Sequence, residues 1–344
     1  MNRNEENIAS LDLLKIILSI MVVVIHVNPR GSDLSFIVYP FIRVTVPLFF
    51  IMSSFFVFKK INAAQKKDQN EIIKRFVSRN ARLYLAWFVL LLPSVIIVRG
   101  YYKVGLKDLL TRVALDVVFG STFKGSWFLT SLMIAVPVVY VLINTCGWVI
   151  SGIVCSAMYL LCCIASCYYS FLPENSLIIR IIDLYPGNMY NSFPVALLWV
   201  YLGALESIVD NKHKGIDKAL KIVAVTSFLL LELEYFVTVE RAVSSDCFVM
   251  LVPLSLVLFI LVYRTRVQAN NTRELRTYST IFYCIHPTIV SILFMLFEKQ
   301  GFAKTSFIIS IIVFALTVIL CTIAAYWIIK LSKTPKLTIL KNLY

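Results

Sequence analysis

Apolar runs close to twenty residues long recur along this chain from one end to the other, and that recurrence sets its fold class. A helix rises 1.5 Å per residue, so about 20 apolar residues cross a hydrocarbon core about 30 Å thick. With 59% hydrophobic residues and a mean hydropathy of +0.83, the 344-residue chain is no ordinary soluble globule. The expectation is an all-α polytopic membrane protein with about ten transmembrane helices. They are placed at 9–28, 36–58, 80–98, 126–145, 148–170, 192–208, 219–238, 247–263, 277–297 and 305–329. Eleven glycines are few, and no linker-like or solenoid-length repeat interrupts the pattern, so residues 1–344 read as a single integral-membrane domain.

Charge placement orients the spans. Segments 59–82, 209–221, 264–276 and 330–344, with Arg3 and Lys15, hold 22 of the 33 Lys and Arg residues. Ten lie on the opposite side and Arg43 falls within a span. That excess puts the basic loops and both termini in the cytoplasm. The net charge of +14 is then mostly positive-inside bias, with attraction for anionic lipid or an anionic cytosolic substrate, and it calls for no nucleic acid. Asp12 and Lys15 open the first helix, and no small-residue cleavage site follows it. It therefore reads as a retained span of a multi-pass cell-membrane protein whose first partner is the bilayer.

The eight cysteines fall almost wholly inside spans, without metal-ligand spacing to His or carboxylates, and read as packing residues. No metal is expected. Of the three histidines, His213 sits in a Lys-rich cytoplasmic loop and reads as a solvated group, whereas His26 and His286 are intramembrane. Imidazole at that depth needs a partner or a watered cavity, and either a functional role or a hydrogen bond between helices meets the need.

His26 has a companion. Lys15 lies eleven residues earlier in an otherwise apolar stretch. Eleven steps of 100° return to within about 20° of the start, so the two share a face, about 16 Å apart along the axis. Lys15 is placed near a membrane surface and His26 deep in the helix. Just before the third span, Arg79 and Arg82 stand at i, i+3, presenting two guanidinium forks at the cytoplasmic surface. That suits phosphate, although a topological anchor would use the same residues. In the second span Arg43 precedes Pro47 by four residues, and Pro47 removes a backbone donor where the helix opens. A charge beside a broken helix usually lines a cavity.

Four blocks in order resemble the acyltransferase 3 family, the ten-helix membrane acyltransferases that modify surface sugars. They are the Asp12/Lys15/His26 helix, Arg43 to Phe56 in the second span, the cytoplasmic Arg79-x-x-Arg82, and Tyr283 to His286 ahead of Pro287; apart from these blocks, the aromatic Trp127-Phe128-Leu129 opens the fourth span. One departure is visible: Ser53-Ser54 stands where the family often has Ser-Gly, which touches close helix packing. The resemblance implies transfer of an acyl group, usually acetyl, from cytosolic acyl-CoA to a hydroxyl of a cell-surface or lipid-linked polysaccharide. Acyl-CoA (acetyl-CoA in the usual case) is then the co-substrate and a glycan the acceptor, as in exopolysaccharide O-acetylation. Arg79, Arg82 and Lys15 would hold the CoA phosphates, and the extended pantetheine arm matches the Lys15 to His26 separation. His26 is the candidate general base, with Arg43, and His286 as second choice, to stabilise the oxyanion.

A reading of another class stands beside it. The membrane-bound serine racemases of vancomycin resistance carry a similar membrane domain, there associated with substrate handling, so a recognition or transport module is the alternative. These 344 residues hold no soluble racemase domain, which weighs toward acyl transfer. Glu206, Glu232 and Glu234 would serve an ion-coupled carrier, but the halves show no internal symmetry.

Overall fold

The computed structural model describes residues 9–27, 33–99, 103–173, 175–209, 215–265, 267, 272–303 and 306–344. It is 85% helix, without strands among the described residues. The α-helices are α1 (Ala9–Val27), α2 (Asp33–Ile42), α3 (Thr45–Ala63), α4 (Lys66–Arg99), α5 (Leu106–Phe119), α6 (Trp127–Cys163), α7 (Leu177–Asp183), α8 (Phe193–Val209), α9 (Asp217–Thr238), α10 (Leu251–Arg264), α11 (Thr272–Lys299) and α12 (Phe307–Ser332).

Among the described residues, six helical stretches are long and apolar enough to cross a membrane: Ala9–Val27, Val38–Ala63, Lys66–Ile97, Trp127–Phe171, Glu274–Lys299 and Phe307–Ser332. The 45-residue stretch from Trp127 covers two of the expected spans and kinks between them at Gly147. There φ is +76°, a left-handed value that glycine adopts without the Cβ penalty. The remaining three expected spans fall on α8 and α10, which are apolar but shorter, and on α9 with its acidic residues.

Two elements have local causes. The second span is broken, with a turn at Arg43-Val44 between α2 and α3. Pro47 is the cause: its ring would clash with the carbonyl four residues back, that of Arg43, and as third residue of α3 it occupies a position whose N–H has no intrahelical partner. Thr45 Oγ1 donates to the Ile42 carbonyl at 2.5 Å across the break. The third span starts well before residue 80, because α4 runs polar from Lys66 before it becomes apolar.

The chain folds into two compact units, Met1–Thr45 with Ile260–Tyr344, and Val46–Phe259. In the first, α1 packs on α11 and both pack on α12. Val23, Val27, Val290, Phe294, Ile309 and Val313 form its core cluster. In the second, α6 packs on α8 and α4, over buried Trp87, Tyr159 and Trp199.

The Ser53-Ser54 departure has a structural answer in the second unit. Ser54 is fully buried, and a Cβ added at Gly203 of α8 would lie 2.0 Å from Ser54 Oγ and 2.5 Å from the Ile51 carbonyl oxygen. The small residue that permits close approach therefore stands across the contact, on α8. Gly203→Ala is expected to destabilise the protein by about 1–3 kcal/mol through overpacking. Adding Ser54→Gly should recover part of the loss and leave the clash with the backbone oxygen, as read by thermal unfolding in detergent.

Candidate functional site

Within the first unit, α1 and α11 run parallel and meet through polar groups in matching order. Nearest the α1 N-terminus, Arg276 donates to both carboxylate oxygens of Asp12, Nε to Oδ1 at 2.9 Å and Nη2 to Oδ2 at 3.0 Å. Asp12 is 2% exposed, so this bidentate pair satisfies a carboxylate that would otherwise be stranded. Next come two buried hydroxyls, Ser19 Oγ and Ser279 Oγ, 2.7 Å apart, and each also lies within hydrogen-bonding distance of the Lys15 carbonyl, at 2.9 and 3.1 Å. Then the rings of His26 and His286 lie 5.0 Å apart, tilted by 49°.

The spacing explains why these groups face one another. Asp12, Ser19 and His26 recur every seven residues, and seven helical steps drift by only about 20°, so they form one stripe. On α11 Ser279 and His286 are also seven apart, but Arg276 precedes Ser279 by three. The shortfall of four residues, about 6 Å, is covered by the long arginine side chain, which points toward its helix N-terminus. Around the imidazoles the helix pair is apolar, with Val23 and Val27 clustered with Val290 and Phe294.

His286 is 1% exposed, and its Nδ1 lies 2.8 Å from the Phe282 carbonyl. A carbonyl only accepts, so Nδ1 carries the proton. The Tyr283 ring lies 6.1 Å from that imidazole. Arg43, at the break after α2, sets its guanidinium over the Tyr39 ring, 4.4 Å from the centroid, and donates to the Tyr39 hydroxyl. That local clamp holds a charge where the helix is open.

Arg79 and Arg82 belong to the second unit. Both are exposed on α4, mid-helix and not at a helix start. A groove of about 300 Å³ runs along this face, lined by Glu71, Lys74, Arg75, Ser78 and Arg82. These positions form one stripe of α4, and Arg79 projects one step further round. Arg75 Nε bonds Glu71 Oε1 at 2.9 Å, an exposed i, i+4 pair that supports the helix weakly. The downstream aromatic block also meets its partner here, for Phe50 lies 4.5 Å from Phe128 and 5.9 Å from Trp127, ring centre to ring centre.

Of the acidic residues weighed for a carrier, Glu234 has a structural task. Its carboxylate accepts from the backbone N–H groups of Val249 at 2.6 Å and Met250 at 2.9 Å, and from the Tyr168 hydroxyl at 2.6 Å. It thereby caps the entry to α10, where the first N–H groups have no intrahelical acceptor. Seven of the eight cysteines are buried, Cys146 being the exposed one. His213 lies outside the described residues.

The structure thus gathers Lys15, His26 and His286 on one helix pair, puts Arg43 at a helix break, and places Arg82 in a basic groove with Arg79 beside it. Sequence reasoning missed the partners: Arg276 and Ser279 on α11, and Lys74, Arg75 and Ser78 on α4.

A family model described as an acyltransferase domain matches residues 8–327. Among curated proteins, an amino-acid racemase of Enterococcus faecalis is 22% identical over 334 residues, covering 94% of this chain and 46% of the relative. Another amino-acid racemase of that organism is 24% identical over 180 residues, 51% of this chain and 24% of the relative. The chain spans less than half the length of these relatives. No solved structure matches.

Proposed function

The chain belongs to the acyltransferase 3 family, and we propose that it is a membrane-bound O-acyltransferase carrying an acyl group, acetyl in the usual case, from cytosolic acyl-CoA to a hydroxyl of a cell-surface or lipid-linked polysaccharide. The observation that carries the reading is the intramembrane His26 on the Lys15 face of α1, paired with the buried His286. An ionisable pair at that depth is costly to keep and points to chemistry. In this reading His26 takes the proton of the attacking hydroxyl, while Arg43 offers its guanidinium to the oxyanion that develops on the thioester carbonyl. Arg79 and Arg82 hold the CoA phosphates, and the groove that Arg82 shares with Lys74 and Arg75 supports an anionic ligand there.

The proposed setting is the cell membrane, with ten crossings and cytoplasmic termini. The parallel run of α1 and α11 supports it, because parallel helices need an even number of crossings between their starts, and eight of the ten expected spans precede α11.

The test is sidedness. In oriented vesicles, labelled acetyl-CoA supplied on the cytoplasmic face should label a glycan reachable only from the other face, with free CoA released where the donor was added. Arg82→Ala and Arg79→Ala should raise the apparent acetyl-CoA requirement about tenfold or more while slowing saturated turnover less, and Lys should rescue partly because it lacks the planar fork. Glycan labelling that needs no acetyl-CoA on the cytoplasmic face refutes the proposal.

The racemase relatives favour a second reading, a membrane module that recognises or moves a substrate. It predicts solute uptake in the same vesicles with no CoA release. The capping task of Glu234 leaves that carboxylate a poor choice for coupling ions.

A further inference from the structure

We propose that His286 is the positioning partner of His26, a neutral imidazole held with its lone pair on Nε2 so as to accept the N–H of His26 as that ring takes up a proton. The proposal rests on the acyl-transfer reading of His26. Three observations carry it. The rings stand 5.0 Å apart, tilted by 49°, so the two imidazoles are direct neighbours. The Phe282 carbonyl at 2.8 Å fixes the proton of His286 on Nδ1, which leaves Nε2 as the acceptor. Finally, the two polar contacts before the ring pair, Ser19 with Ser279 and Asp12 with Arg276, fix the register of α1 on α11, so the imidazoles meet by construction.

This role differs from oxyanion stabilisation. In this tautomer the single N–H of His286 is given to Phe282, and the ring faces the transition state as an acceptor only. The arrangement follows the usual logic of an activated base, in which a second group orients the first and stabilises its protonated form.

The step balances as follows. The acceptor oxygen attacks the thioester carbonyl carbon and its proton passes to His26. The new imidazolium donates a hydrogen bond to His286 Nε2. The C–S bond breaks, the thiolate of CoA takes the proton back from His26, and an ester and free CoA leave. His286 ends unchanged.

Two conservative variants separate positioning from plain packing. Asn reproduces the Nδ1 donor and keeps the Phe282 bond, whereas Gln reproduces an acceptor near Nε2 and gives that bond up. Positioning predicts that His286→Asn loses tenfold to a hundredfold in turnover with an unchanged acetyl-CoA requirement, and that His286→Gln recovers part of it. A structural imidazole predicts the reverse order, with Asn active and Gln defective, and that result overturns the proposal. Independently of activity, ¹⁵N-histidine spectra of the wild-type protein in bilayers, with His213→Gln removing the third signal, should show His286 neutral with Nδ1 protonated and in ring-to-ring contact with His26. An Nε2-protonated His286 overturns the proposal whether or not the enzyme transfers acyl groups. Wild type that shows this tautomer but moves no acyl group refutes the acyl-transfer reading alone.

Discussion

His26→Ala is expected to abolish acyl transfer, lowering turnover by about 10² to 10⁴, the usual worth of a positioned general acid or base. The loss should appear in the saturated rate, with binding of acetyl-CoA preserved, since the phosphate-binding assignment rests on Arg79 and Arg82 of α4. The fold should survive. His26 is only half-buried, and α1 is held to α11 by the Asp12 to Arg276 pair and the serine contact, and to α12 through Val23, Val27 and Val313. Truncating the ring leaves those contacts in place. Glycan labelling and CoA release would be measured on the same preparation, with thermal unfolding in detergent as the control for structure. Wild-type labelling by a folded His26→Ala protein would remove His26 from the chemistry. A variant that binds acetyl-CoA normally, unfolds normally and transfers nothing would place it there.

How much of this was legible in the sequence depended on whether the relation lay within one helix. Lys15 and His26 share a face because helical periodicity is a local rule, and α1 obeys it from Ala9 to Val27. The break near Arg43 was equally readable, because Pro47 acts on the carbonyl four residues before it. The gap between the fourth and fifth expected spans fell on Gly147, where the backbone turns left-handed. Partners across helices were not readable. Asp12 and Arg276 are 264 positions apart, and no periodicity names which arginine closes on a buried carboxylate. The start of α4 was missed for another reason. Hydropathy marks where a helix enters lipid, while the helix itself begins at Lys66, in a polar stretch held by pairs such as Glu71 with Arg75. The role of Glu234 was hidden too, since a glutamate in an apolar run reads the same whether it binds an ion or caps a neighbouring helix.

The second large effect concerns the end of the helix pair away from the imidazoles. Arg276→Met is expected to destabilise the protein by about 3–5 kcal/mol, because it leaves the Asp12 carboxylate buried with its charge partner gone. Asp12→Leu should cost less. The Arg276 side chain is 33% exposed, and its guanidinium can swing toward headgroups and water when the carboxylate is absent, whereas Asp12 at 2% exposure has no such route. The asymmetry is the signature of a pair whose cost falls on the deeper member. Combining Asp12→Leu with Arg276→Met replaces both charges by apolar groups of similar size and should restore most of the lost stability. Thermal unfolding of the four proteins in detergent gives the comparison, and equal penalties for the two single variants would show that both charges reach solvent. Activity of the double variant then separates stability from alignment. The ion pair sets how far α1 slides along α11, so a protein that unfolds like wild type yet transfers acyl groups slowly would show that the pair is kept to hold His26 against His286. Full activity would instead leave that alignment to the Ser19 to Ser279 contact and the valines beyond it.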